Sequence, residues 1–174
     1  MKKKREEDAE DELLEKCISG QAIDRPIFLY ICCALITITP PTYVYLSVFT
    51  FEFFNEFSYS PFMVVIFPLI SIYFLTRSYD VMFSTELNKR SKHFMEAGKT
   101  NVSLQSLRST VALSWTIFFI NAVYLLLVFF LQLYLFNQLD TYFNFMLTFS
   151  ISSISVYILA LKNDESFQRR RKKL

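Results

Sequence analysis

TRSYDVMFSTELNKRSKHFMEAGKTNVSLQSLRST, residues 76–110, is the only long polar segment inside an otherwise apolar chain. From Arg77 to Thr110 it carries six basic residues (Arg77, Lys89, Arg90, Lys92, Lys99, Arg108) against three acids (Asp80, Glu86, Glu96). Two long apolar blocks lie on each side of it. The pattern is that of two membrane hairpins holding out one basic, helical platform.

The 174 residues fit a single domain. Apolar residues make up 53%, with 20 Phe and only two Gly, a composition of membrane proteins rather than soluble globules. Ile27–Phe51 runs without a charge and exceeds the roughly 20 residues needed to cross a bilayer core. Pro40-Pro41 removes two amide donors within it and predicts a kink or local unwinding. Pro61 suits the first turn of a second span that reaches about Thr76, and this span is short. A helix continuing past Arg77, with that side chain snorkelling to the interface, supplies the missing length.

Tyr79, Phe83, Leu87 and Phe94 keep roughly helical spacing beyond that point. Gly98 with Lys99, Thr100 and Asn101 reads as a stop, and Ser103 as the cap of a helix leading into the third span. The two arms of this platform, about 20 and about eight residues, are too unequal to pack along their full lengths. Val111–Phe136 is the third span, Asn137–Asp140 a tight turn and Tyr142–Leu161 the fourth. Ser150, Ser152, Ser153 and Ser155 cluster in the last span, where small hydroxylated residues allow close helix approach. The expected fold is an all-α membrane protein, four transmembrane helices as two hairpins with a short cytosolic helical loop. Its parts are an arm (1–25), a first hairpin (26–76), the basic loop (77–110), a second hairpin (111–161) and a basic tail (162–174).

Charge sets the expected orientation. All 18 Lys and Arg fall in the arm, the loop and the tail, six in each. The two opposite connectors carry only Glu52, Glu56 and Asp140. By the positive-inside rule both termini and the loop face the cytosol. Asn101-Val102-Ser103 matches a glycosylation acceptor, but this topology keeps it from the lumen. The acidic run from Glu6 to Glu12 also argues against a cleavable signal or a mitochondrial presequence.

Catalytic signatures are missing from the sequence. It has no glycine-rich phosphate loop, no paired carboxylates on a helix face and no nucleophile beside a base. Cys17, Cys32 and Cys33 form neither a disulfide framework nor a zinc spacing, and His93 has no ligand partners. A non-enzyme with no cofactor, metal or small-molecule substrate is expected. The apolar cores are free of charge, which argues against a channel or transporter. Asn121, Gln132 and Asn144 read first as interhelical hydrogen-bonding groups, and otherwise as polar groups meeting a hydrophilic substrate segment or a partner helix. The basic loop reads as attraction to anionic membrane lipid or as phosphate binding on RNA, and composition alone favours lipid.

A resemblance bears on that balance. Trp115-Thr116-Ile117-Phe118-Phe119-Ile120-Asn121, Asn137 after a Phe-rich span, and Phe145-Met146-Leu147-Thr148-Phe149-Ser150-Ile151-Ser152-Ser153 resemble the last two spans of the translocon-associated protein (TRAP) complex gamma subunits, also called signal sequence receptor gamma. The first half is similar too: an acidic arm ending in Leu13-Leu14, a proline before Tyr43-Val44-Tyr45, and Leu69-Ile70-Ser71-Ile72-Tyr73 leading to Tyr79. The loop is shorter and less charged than that family's. The resemblance implies a non-catalytic, multi-pass protein of the endoplasmic reticulum membrane. It would sit beside the protein-conducting channel and other translocon-associated subunits and assist translocation. The loop would touch the large ribosomal subunit, both rRNA and protein, which makes Arg77, Lys89, Arg90, Lys92, Lys99 and Arg108 contact candidates. Asn121, Asn144, Ser150, Ser152 and Ser153 are the candidates for interhelical packing. The Arg171-Lys172-Lys173-Leu174 end resembles a dibasic retrieval signal. The alternative is a structural subunit of another membrane assembly, for example mitochondrial, with no ribosome contact.

Overall fold

The computed structural model describes residues 26–47, 60–95 and 102–171, with side chains described for 26–47, 62, 64–89 and 107–170. The described residues form four long helices: α1 (Ile27–Ser47), α2 (Ser60–Met95), α3 (Val102–Phe130) and α4 (Thr141–Arg171). A π-helical turn, Leu131–Leu135, extends α3. All four are long and apolar enough to span a bilayer, over Ile27–Ser47, Val64–Lys89, Leu107–Leu135 and Thr141–Arg170. The chain is a multi-pass, all-α membrane protein. Large apolar side chains such as Phe28, Ile36, Phe118 and Leu126 point outward, as lipid-facing residues do.

Successive helices alternate in direction. Tyr30 near the start of α1 stacks on Tyr79 and meets Phe83, late in α2. Tyr45 near the end of α1 packs on Phe145 and Phe149, early in α4. The two expected hairpins are thus present, but they close into one bundle. Its most extensive contact joins α2 to α4, which run parallel. On α2 the buried residues Ser71, Leu75, Ser78, Met82 and Thr85 alternate in steps of four and three. Phe145, Phe149, Ser152 and Val156 do the same on α4. That is the heptad spacing of a coiled-coil seam, and its serines let the two backbones close up.

α2 continues unbroken past Arg77, as its apolar spacing predicts. With 36 residues it is about 54 Å long, well beyond a hydrocarbon core of about 30 Å. α4 likewise runs on to Arg171, so the segment expected as a tail is helical up to that residue. The two extensions meet. Thr85 Oγ1 donates to Asp164 Oδ1 at 2.9 Å, and Lys89 Nζ to Asn163 Oδ1 at 3.0 Å. The extension of α2 therefore finds its packing partner in α4, forming a two-helix stalk. Among the described residues, α3 is tied at this level by Arg108, which donates to a carbonyl of α2.

Two local expectations change. The α1 helix runs through Pro40 and Pro41 without unwinding. Tertiary packing holds it: Pro41 is buried, and Tyr45 one turn later is anchored to α4. The second change concerns α3, which already includes Val102, so Ser103 lies inside the helix instead of capping it. The Asn137–Asp140 turn is present, with Leu139 N donating to Phe136 O at 3.0 Å. Leu13-Leu14 of the acidic arm, Cys17, the connector with Glu52 and Glu56, and the Gly98 stop lie outside the described residues.

Candidate interaction site at the basic end of the bundle

Polar side chains form a column along the inside of the bundle, and its character changes from one end to the other. Near the α3–α4 turn, the Tyr45 hydroxyl lies 2.7 Å from Asn144 Oδ1 and 3.2 Å from Thr148 Oγ1. One proton cannot serve both acceptors, so the shorter contact is the donated one. Thr148 Oγ1 also donates to Asn144 Oδ1, at 3.0 Å. Asn144 Nδ2 reaches 3.5 Å from the carbonyl of Gln132. Gln132 is fully buried, and neither end of its amide has a hydrogen-bond partner among the described residues.

The π turn belongs to the same corner. Phe136 N donates to Leu131 O, a five-residue step that widens the last turn of the helix. Further along the column Ser71 Oγ donates to Phe149 O at 3.2 Å, and Ser153 Oγ to the same carbonyl at 2.8 Å. Ser152 is buried with an unpartnered hydroxyl, while Ser150 and Ser155 are only half-buried. Asn144, Ser152 and Ser153 thus lie in the helix–helix interior, and Ser150 on its margin. Asn121 sits on α3, where its Oδ1 accepts from the buried Tyr79 hydroxyl.

At the basic end the stalk uses its charges internally. Lys89 Nζ pairs with Glu86 at 2.7 Å, and Glu86 is 8% exposed. Arg108 donates to the carbonyl of Leu87 at 2.6 Å, and its Nε is buried without a partner. Two of the six expected contact residues, Lys89 and Arg108, therefore hold α2 to α4 and to α3. Arg77 is exposed, but its guanidinium lies over the Tyr73 ring, 5.8 Å from the centroid. It folds back one turn towards the helix start, the direction in which helical side chains lean. Arg90 and Lys92 lie on the last turns of α2, their side chains outside the described set, and Lys99 falls outside the described residues altogether. Lys162, Arg169 and Arg170 are exposed on α4 at the same end, with Arg169 paired to Glu165 at 2.7 Å.

Composition alone could not have separated the inward from the outward cations. The signal that could is the four-and-three spacing from Ser71 to Thr85, which reaches Lys89 at its next step. Asn163 and Asp164 follow Ala160 on the matching face of α4. The fold and this end together define a multi-pass membrane protein with a tied two-helix stalk and basic residues around its tip. No protein-family model matches the sequence, and no curated protein matches it.

Proposed function

We propose that the chain is a non-catalytic subunit of an endoplasmic reticulum translocon-associated complex, of the gamma type it resembles. It sits beside the protein-conducting channel, assists co-translational translocation and touches the large ribosomal subunit with the tip of its stalk. The observation that carries this reading is the shared placement of the basic residues. The end of α2, the start of the α3 span and the end of α4 lie together and bring Lys89, Arg90, Lys92, Arg108, Lys162, Arg169 and Arg170 to one end. At the other described end, the turn between α3 and α4 carries Asp140 as its sole charge. A rigid stalk carrying cations is suited to phosphate-rich RNA, which binds in a salt-dependent way.

Because Lys89 and Arg108 are occupied, the contact falls to Arg90 and Lys92, with the α4 cations at the same end. Charge reversal at Arg90 and Lys92 together is expected to leave membrane insertion intact and weaken cosedimentation with ribosomes. The wild-type association should fall steeply with salt, and the variant should show a slope shallower by about two units on the log–log plot. Ribosome association unchanged in the variant, or a protein confined to mitochondrial membranes, would defeat the proposal.

A further inference from the structure

The contacts between α2 and α4 fix how deep Arg77 sits. The rings of Phe74 and Tyr157 lie 5.8 Å apart, and Asn163 Nδ2 donates to Met82 Sδ at 3.0 Å. Residues 74–82 of α2 therefore run alongside 157–163 of α4. On α4 the charge-free stretch from Thr141 ends at Leu161, and Lys162 follows. That stretch is about 31 Å long by the helix rise, the thickness of a hydrocarbon core. Leu161 is two residues short of Asn163, which places the hydrocarbon edge near residue 80 of α2. Arg77 lies about one turn inside that edge, and its guanidinium, drawn back over Tyr73, lies deeper still.

Arg77 is exposed, and among the described residues no carboxylate comes within ion-pair distance of it. Its electrostatic neighbours are, in order of effect, Tyr73, Tyr157 of α4 and Asp80. The Tyr157 hydroxyl has no hydrogen-bond partner among the described residues. A guanidinium at this depth on an outer face is costly unless an anion joins it. Beneath it, Ile66, Leu69 and Ile70 continue the Arg77–Tyr73 stripe in steps of three and four, all exposed.

We infer that the groove between α2 and α4 binds one anionic phospholipid of the leaflet at the basic end. Arg77 and the Tyr157 hydroxyl hold its phosphate, and its acyl chains run down over Ile66, Leu69 and Ile70. A cation capping an apolar stripe is the complement of a phospholipid, a phosphate above hydrocarbon. A soluble anion has no tail to keep it at that level. A partner helix would have to carry a carboxylate into the hydrocarbon to serve the same cation. Lys162 and the stalk cations above the site enrich negatively charged headgroups over zwitterionic ones. The inference needs the four-helix bundle in a bilayer, and neither a translocon nor a ribosome.

Native mass spectrometry of the full-length protein in detergent tests this, with dioleoylphosphatidylserine or dioleoylphosphatidylcholine added. One phosphatidylserine should be retained at concentrations where phosphatidylcholine is not. Arg77→Gln should weaken that first binding step roughly tenfold or more, the effect of losing one charge-assisted contact. Tyr157→Phe should weaken it about threefold, and Arg77→Lys should keep part of it. Arg170→Gln, at the stalk tip, should leave it unchanged. The unfolding temperature of the Arg77 variants should not move, because that side chain ties no other helix. Equal losses in Arg77→Gln and Arg170→Gln would reveal diffuse attraction to the whole basic end and overturn the inference. So would equal retention of the two lipids, displacement by millimolar inorganic phosphate, or binding indifferent to both Arg77→Gln and Tyr157→Phe.

Discussion

Two buried carboxamides, both near the α3–α4 turn, call for opposite substitutions. Asn144 is held by Tyr45 and Thr148, so Asn144→Leu leaves their two hydroxyls only each other, 3.2 Å apart, in an apolar interior and is expected to destabilise the bundle by about 1–3 kcal/mol. Tyr45→Phe is milder, because Thr148 and Asn144 still satisfy each other, and should cost about 1 kcal/mol. The coupling between these two changes in a double-mutant cycle, followed by unfolding in detergent micelles, measures the hydrogen bond itself. Gln132 is the reverse case. Both ends of its amide are orphaned, so Gln132→Met, of similar volume, removes a desolvation cost and should leave stability unchanged or raise it. A loss above about 1 kcal/mol would show that bound water completes the Gln132 site.

Among the elements, the α2–α4 seam carries the bundle. Ser152 sits within it fully buried and without a hydrogen bond, so Ser152→Ala should be neutral or stabilising. Ser152→Leu wedges the helices apart and should cost about 1–3 kcal/mol or more in thermal unfolding. In the stalk, Lys89→Met leaves the nearly buried Glu86 carboxylate without its cation. The pair is partly open to solvent at Lys89, which limits the loss to about 1–2 kcal/mol, and amide exchange across residues 82–89 and 160–168 should quicken. Hydropathy made the four helices legible in the sequence, and the spacing of Tyr79, Phe83 and Leu87 made the α2 extension legible. The partner of that extension was not. Pairing α2 with α4 is a choice between apolar faces distant in the chain, which neighbourhood along the sequence does not reveal. The inward turn of Lys89 and Arg108 was hidden for the same reason: it depends on which carbonyl and which acid the packing brings within reach. Asn144 and Ser152 were legible as packing residues because a polar group in a span must find a partner or be buried against small neighbours. Tyr45 and Thr148, which complete the Asn144 cluster, carry no such mark.

At the scale of the whole molecule, the shared end of the basic residues makes orientation measurable. A glycosylation acceptor engineered into the 136–140 turn should be modified in microsomes, while the native Asn101-Val102-Ser103 should stay bare. Modification at Asn101 would invert the topology.

The parallel pairing of α2 with α4 also sets a timetable for synthesis. Ser71 finds its acceptor at Phe149, 78 residues later, an interval of roughly 4–16 s of translation. Throughout that time α2, the least hydropathic of the four spans, waits in the membrane with Ser71, Ser78 and Thr85 not yet covered by α4. A nascent chain halted after α3 is therefore the form in which α2 most needs shelter, from an insertion chaperone or from the translocation machinery, and in which it is most open to quality-control proteolysis.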